Sequence, residues 1–94
     1  MHADQELHRL RAAVDDCNGR LVALLQERAG LAAAIGRWKA AHGQAALDPA
    51  REAQMLEAIA AAAGDGPLDG PALQRVLTAV LAETRRLVEA EHRR

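Results

Sequence analysis

The fold is decided by residues 7–38, LHRLRAAVDDCNGRLVALLQERAGLAAAIGRW, in which apolar side chains recur in alternating steps of three and four. That spacing is a heptad seam, typical of a helix that packs one stripe against other helices. No proline interrupts residues 5–41, so the pattern predicts one helix of roughly 36 residues and ~54 Å. The seam consists of Leu7, Leu10, Val14, Cys17, Leu21, Leu24, Leu31, Ile35 and Trp38.

Two shorter helices are predicted after the long one. Asp48 followed by Pro49 is a helix-opening signal, since aspartate caps the N-terminus and proline needs no backbone N–H in the first turn. Residues 64–67, Gly-Asp-Gly-Pro, end the second helix. Asp69 repeats the capping signal, and the apolar periodicity of the third helix continues to about His92.

Length and composition favour an all-α protein that associates with a second copy. The 94 residues contain no Phe, no Tyr and one Trp, and we expect residues 1–94 to form a single domain of three helices, one long and two shorter. A rod of ~54 Å exceeds the width of such a domain, and the rest of the chain is too short to cover its seam. The sequence therefore predicts an intertwined homodimeric helical bundle.

Charge and cysteine usage exclude several classes of protein. With 12 basic and 13 acidic residues, the net charge of -1 argues against nucleic acid as a partner. No window approaches the ~20 apolar residues of a membrane span, and the first ten residues lack the apolar run of a secretory signal, so we expect a cytoplasmic protein. The single Cys17 excludes an internal disulfide, and the histidines show no metal-ligand spacing.

Arg28 occupies a seam position where the heptad calls for an apolar residue. It could belong to a structural ion pair or an oligomer-specifying polar layer, or it could bind an anionic ligand. Lys39 lies ~16 Å further along nearly the same stripe, so the two side chains could converge on one ligand. Arg11 is ~42 Å from Lys39 on that stripe, so only a second chain could bring it near, as it would if two long helices packed antiparallel about a centre near Leu25.

Four residues on the shorter helices are further candidates. Glu52, with Arg51 beside it, faces the interior at the start of the second helix, as a dipole-compensating residue or as an acceptor for a ligand hydroxyl. Thr84 and Val88 fall on the inward line of the third helix, where simple packing is the alternative to ligand contact.

Taken together, these residues form a sequence pattern that resembles that of a known family. The carriers are Leu10-Arg11, Asp15, Leu21, Leu24-Leu25, Arg28, Leu31-Ala32, Ile35-Gly36, Lys39, Gly43, Asp48-Pro49-x-Arg51-Glu52 and the Gly66–Asp69 connection. This pattern, over nearly the whole chain, is similar to that of the all-helical chorismate mutases. The resemblance implies a homodimer that rearranges chorismate, a small dianion, to prephenate without a metal or organic cofactor.

The resemblance also implies a role for each candidate. Arg28 of one chain and Arg11 of the other would grip the two carboxylates, and Lys39 would donate to the ether oxygen. Glu52 and the Asp48 backbone would hold the C4 hydroxyl. Arg51 and Thr84 would complete the polar wall, with Val88 beside them.

One departure from the family keeps alternatives open. The family usually shows Ser-Arg-x-x-Gln where this chain reads Thr84-Arg85-Arg86-Leu87-Val88, so an amide donor to the ether oxygen is missing. The chain could instead be a 4-amino-4-deoxychorismate mutase of an antibiotic pathway, whose substrate ammonium would pair with Glu52. It could also be a weakly active or regulatory partner of a shikimate-pathway enzyme. Pyruvate elimination from isochorismate and a plain helical interaction protein are less favoured by the Lys39, Glu52 and Arg28 pattern.

Overall fold

A computed structural model describes residues 2–94, and its regular structure consists of three α-helices. Helix α1 spans His2–Ala41, α2 spans Pro49–Ala61 and α3 spans Gly70–His92. The predicted all-α class, with one long and two shorter helices, is confirmed. The long helix begins at His2 rather than near residue 5.

The two shorter helices begin at the aspartates that the sequence predicted as caps. Asp48 Oδ1 accepts a hydrogen bond from the backbone N–H of Arg51 at 3.0 Å, and Asp69 Oδ1 accepts one from Ala72 at 2.9 Å. Each proline of the opening signals lies in the first turn of its helix. A cap of this kind stabilises a helix by about 1 kcal/mol, so both starts are fixed by local sequence.

Glycines terminate the first two helices. Gly43, just after α1, has φ 67°, and Gly64, just after α2, has φ 57°. These values lie in the left-handed region, which glycine adopts without the steric penalty of a Cβ atom. The two turns therefore depend on glycine at these positions.

The chain divides into two compact units, Met1–Gly30 and Leu31–Arg94. The first is formed by α1, and each of its described residues up to Glu27 is exposed. The second contains the end of α1 together with α2 and α3, which pack against each other. Among residues 2–94 the one buried hydrophobic side chain is Leu81, which is 5% exposed.

The predicted seam of α1 is uncovered in the single chain. Leu10 is 48% exposed, Val14 56% and Leu24 62%, and Cys17 is exposed as well. Large apolar side chains on one stripe of a helix normally lie against another helix. Within residues 2–94, none of the three helices has both the length and the apolar character needed to cross a bilayer.

Candidate functional site

Most of the predicted site residues belong to the unit Leu31–Arg94. Three helices contribute them: α1 through its last turn, α2 through its first turn and α3 through its second half. The residues are Lys39, Asp48, Arg51, Glu52, Thr84 and Val88.

Lys39 is held at the carboxyl end of α1 by the connection that follows it. Its Nζ donates to the backbone oxygen of Ala46 at 3.1 Å, and the side chain is half-buried. An ammonium group has three N–H donors, so one contact with a neutral carbonyl leaves donors for a ligand. The lysine is thus anchored without its charge being neutralised by that contact.

Glu52 is joined to α3 by an arginine that sequence analysis had quoted without a role. Arg85 Nη2 donates to Glu52 Oε1 at 2.6 Å, and Arg85 Nε donates to Oε2 at 3.3 Å. The two contacts form a fork on one carboxylate, a geometry in which arginine is strong and directional. The hydrogen bond to Glu52, and then its negative charge, raise the pKa of Arg85 above its ordinary value.

The Glu52–Arg85 pair was missed because its partners lie 33 residues apart on different helices. Periodicity places each residue on a face of its own helix but does not say which faces meet. A signal was nevertheless present, because an inward carboxylate requires a cation or several donors, and Arg85 follows the inward residue Thr84 directly.

Asp48 and Arg51 occupy the start of α2. The Asp48 carboxylate serves as the helix cap, and its backbone oxygen accepts from the Glu52 N–H at 3.1 Å. Arg51 is exposed. Asp48 therefore fixes the first turn from which both Arg51 and Glu52 project.

Thr84 and Val88 lie on the inward face of α3. Thr84 is 8% exposed, and its hydroxyl donates to the backbone oxygen of Val80 at 3.1 Å, one turn back on the same helix. Val88 is half-buried and lies at a close contact with α1, because a Cβ atom added to Gly36 would stand 2.7 Å from the Val88 carbonyl oxygen. The position where the family is expected to carry an amide is thus a point of close helix approach.

Arg11 and Arg28 belong to the other unit, Met1–Gly30. Arg11 is exposed and Arg28 is half-buried. They lie 28 − 11 = 17 residues apart on one helix, which separates their Cα atoms by about 25 Å. Met1–Gly30 by itself does not bring the two guanidinium groups together.

A shallow groove of about 500 Å³ lies at the end of α3 and is lined by Arg37, Ala40, Ala41, Glu91 and Arg94. Glu91 stands in it between Arg37, at 3.6 Å, and Arg94, at 3.3 Å. The groove contains none of the predicted site residues. Across residues 2–94, no group of three or more His, Cys, Asp or Glu side chains is arranged to hold a metal ion.

Comparison with known proteins identifies the family. The profile of the family described as chorismate mutase type II matches residues 10–89. A curated relative from Streptomyces venezuelae, named 4-amino-4-deoxychorismate mutase, is 31% identical over 83 residues, covering 88% of this chain and 81% of the relative. The chain belongs to the chorismate mutase type II family, an all-helical class of isomerases, and the family and enzyme class predicted from the sequence are confirmed.

Proposed function

We propose that this chain works as a homodimeric chorismate mutase that converts chorismate to prephenate in pockets built from both protomers. The observation that carries the proposal is the extent of the family match, residues 10–89, which includes every proposed site residue from Arg11 to Val88. The reaction is a Claisen-type rearrangement within one molecule, so the protein acts by positioning and by electrostatics.

The arginines of α1 are proposed to bind the substrate carboxylates. Arg28 of one protomer and Arg11 of its partner each present a planar fork that fits a carboxylate. Two fixed carboxylates restrict the substrate to the folded conformation in which the new carbon–carbon bond forms, an entropic contribution to catalysis. The separation of about 25 Å between the two residues within one helix supports the assignment of Arg11 to the partner.

Lys39 and Glu52 are proposed to act on the reacting part of the substrate. Lys39 donates to the ether oxygen, where negative charge grows as the carbon–oxygen bond breaks. Glu52 accepts a hydrogen bond from the C4 hydroxyl, with the Asp48 backbone beside it. Arg51 and Thr84 complete the polar wall.

The exposed seam of α1 supports the homodimer. Leu10, Val14 and Leu24 are between 48% and 62% exposed in the single chain, and a second copy of α1 has the complementary stripe needed to cover them. In a two-fold dimer both protomers bury the same surface. An antiparallel pairing centred near Leu25 would bring Arg11 of one chain beside Lys39 of the other.

A direct assay tests this function. Purified protein is mixed with chorismate without added cofactor, and the loss of chorismate and the formation of prephenate are followed. We expect turnover in the wild type and a loss of about a hundredfold or more in kcat/KM in Lys39→Ala, which lacks the donor to the ether oxygen. Arg37→Ala, a change on the neighbouring exposed face, is the control and should retain activity. No prephenate at high enzyme concentration would rule the proposal out.

A second candidate substrate is 4-amino-4-deoxychorismate. The relative from Streptomyces venezuelae carries that substrate in its name, and Val88 departs from the amide that the resemblance leads us to expect. The same assay with both substrates in parallel separates the candidates. If the protein clearly prefers the amino compound, 4-amino-4-deoxychorismate rather than chorismate is its substrate.

A further inference from the structure

We infer that Arg85 is a specificity-determining positioning residue: its fork on Glu52 neutralises the pocket wall facing the substrate C4 group and favours a hydroxyl there over an ammonium. The inference rests on the proposed function, since it assumes that Glu52 contacts the C4 substituent.

The geometry of the pair supports this role. Arg85 uses two nitrogens, Nη2 and Nε, on the two oxygens of Glu52, at 2.6 and 3.3 Å. Such a fork fixes the plane of the carboxylate as well as its position. Each carboxylate oxygen has a second lone-pair direction, so Glu52 remains able to accept a hydrogen bond from a ligand.

The charges of Glu52 and Arg85 decide whether a hydroxyl or an ammonium binds more favourably to that acceptor. Glu52 and Arg85 together carry no net charge, and the Glu52 side chain is 24% exposed while that of Arg85 is 42% exposed, so only the carboxylate is partly shielded from water. A neutral hydroxyl needs only an acceptor oxygen. An ammonium is attracted by Glu52 and repelled by Arg85, which lies on the same carboxylate, so part of its electrostatic advantage is cancelled.

The surroundings of Arg85 keep it charged. Its pKa is raised first by the hydrogen bond to Glu52, then by the charge of Glu52, and least by the charge of Glu89, one turn along α3. Glu89 itself lies 3.8 Å from Arg93. The guanidinium is therefore a permanent cation at the end of the Glu52 side chain.

The next residue along the chain provides a matched control. Arg86 lies 3.8 Å from Glu83 on its own helix, and both side chains are largely exposed, at 80% and 71%. Arg86→Gln makes the same substitution as Arg85→Gln, so it removes the same charge and shortens the side chain by the same amount. It leaves the Glu52 carboxylate and its partner intact.

The test measures kcat/KM for chorismate and for its 4-amino analogue in the wild type, Arg85→Gln, Arg85→Lys and Arg86→Gln. In Arg85→Gln we expect the ratio of kcat/KM for the amino substrate to kcat/KM for chorismate to rise about fivefold. This is the size of effect expected from losing a partly exposed ion pair. Arg85→Lys restores the cation and should return the ratio toward that of the wild type. Arg86→Gln should leave it unchanged.

Two outcomes would overturn the inference: an unchanged ratio in Arg85→Gln, or an equal rise in Arg86→Gln. If Arg85 had a purely structural role, its substitution would lower kcat/KM for both substrates together and leave their ratio constant. If Arg85→Gln loses its helical circular dichroism, Arg85→Met, which keeps the apolar stem, takes its place.

Calorimetric binding of both compounds separates this inference from the proposed function. If the wild type binds them without converting either, the proposed function fails and the ratio of the two dissociation constants tests Arg85 in the same way. A wild type that binds neither compound contradicts both proposals.

Discussion

The two units of the chain differ in how far along the sequence their polar contacts reach. In Met1–Gly30 the ion pairs join residues three or four positions apart on one helix, Arg9 with Glu6 and Arg20 with Asp16. Leu31–Arg94 has such local pairs as well, but other polar contacts there reach across the sequence, Arg85 to Glu52 over 33 residues and His92 to the Gln44 backbone over 48.

The difference indicates where each unit obtains its stability. Exposed pairs three or four residues apart contribute about 0.3–0.5 kcal/mol each, and apolar side chains contribute only when another surface covers them. Met1–Gly30 therefore gains little tertiary stabilisation within the single chain, whereas Leu31–Arg94 makes tertiary contacts of its own. The candidate site residues follow the same division, because Arg11 and Arg28 lie in Met1–Gly30 and the other candidates lie in Leu31–Arg94.

The largest effect is expected from a charge in the exposed seam. Leu24→Asp would place a carboxylate at the most exposed of the seam leucines, and in a two-fold dimer the change occurs twice. Loss of a packed leucine costs about 2–5 kcal/mol, so we expect monomeric protein with reduced helicity at micromolar concentration. Sedimentation and circular dichroism measure both properties.

Val22→Asp is the control for the seam. Val22 is 56% exposed and Leu24 62%, but Val22 lies off the stripe, so its variant should remain dimeric. A monomeric wild type, or a Leu24→Asp variant as dimeric as Val22→Asp, would show that this seam does not form the contact between protomers.

The next effect concerns the assignment of Arg11 to the partner. Arg11→Ala and Lys39→Ala should each lower kcat/KM by about a hundredfold or more. When the two variants are unfolded, mixed and refolded together, a mixed dimer contains one pocket with all its groups and one with neither. We expect recovery of about a quarter of wild-type activity, since half of the dimers are mixed.

A mixture of Arg28→Ala with Lys39→Ala is the control for this experiment. Both residues are assigned to the same protomer's pocket, so each pocket of a mixed dimer lacks one group and activity should stay low. Recovery of activity in this control mixture would contradict the assignment of Arg11 to the partner. No recovery in the mixture of Arg11→Ala with Lys39→Ala would contradict it as well.

A gain of activity, no larger than the losses in Arg11→Ala and Lys39→Ala, is expected at Val88. Val88→Gln would supply an amide donor toward the ether oxygen, where a single donor is worth on the order of a hundredfold in rate. The matched control is Leu87→Gln, which puts the same amide on an exposed neighbouring position. Chorismate kinetics that do not improve in Val88→Gln, or that improve equally in Leu87→Gln, would show that the missing amide does not limit the rate.

The features of the fold that depend on local sequence were predictable from the amino-acid sequence. The starts of α2 and α3 followed from Asp48 and Asp69, and the long α1 followed from an uninterrupted heptad, because caps and periodicity act over a few residues. The family resemblance rested on the spacing of polar residues along that framework.

The contacts between helices could not be predicted in the same way. The Arg85 fork on Glu52 and the contact of Gly36 with the Val88 backbone depend on how two faces approach, to within about an ångström, and many registers share the same apolar pattern. The assignment of Arg11 to a partner stays a prediction, as it depends on a second chain.

The smallest effects are expected on thermal stability, from replacing one glycine of each unit with alanine. In an open helix, replacing Gly with Ala stabilises by about 0.5–1 kcal/mol, and this is expected for Gly19, since no atom lies within 4 Å of an added Cβ. At Gly36 the added Cβ would stand 2.7 Å from the Val88 carbonyl oxygen and 3.0 Å from its Cα. Backbone atoms cannot move aside as a flexible side chain does, so α1 and α3 must separate, at a cost of about 1–3 kcal/mol. Thermal unfolding should therefore shift upward in Gly19→Ala and downward in Gly36→Ala. Equal upward shifts would mean that the close approach at Val88 contributes nothing to holding Leu31–Arg94 together.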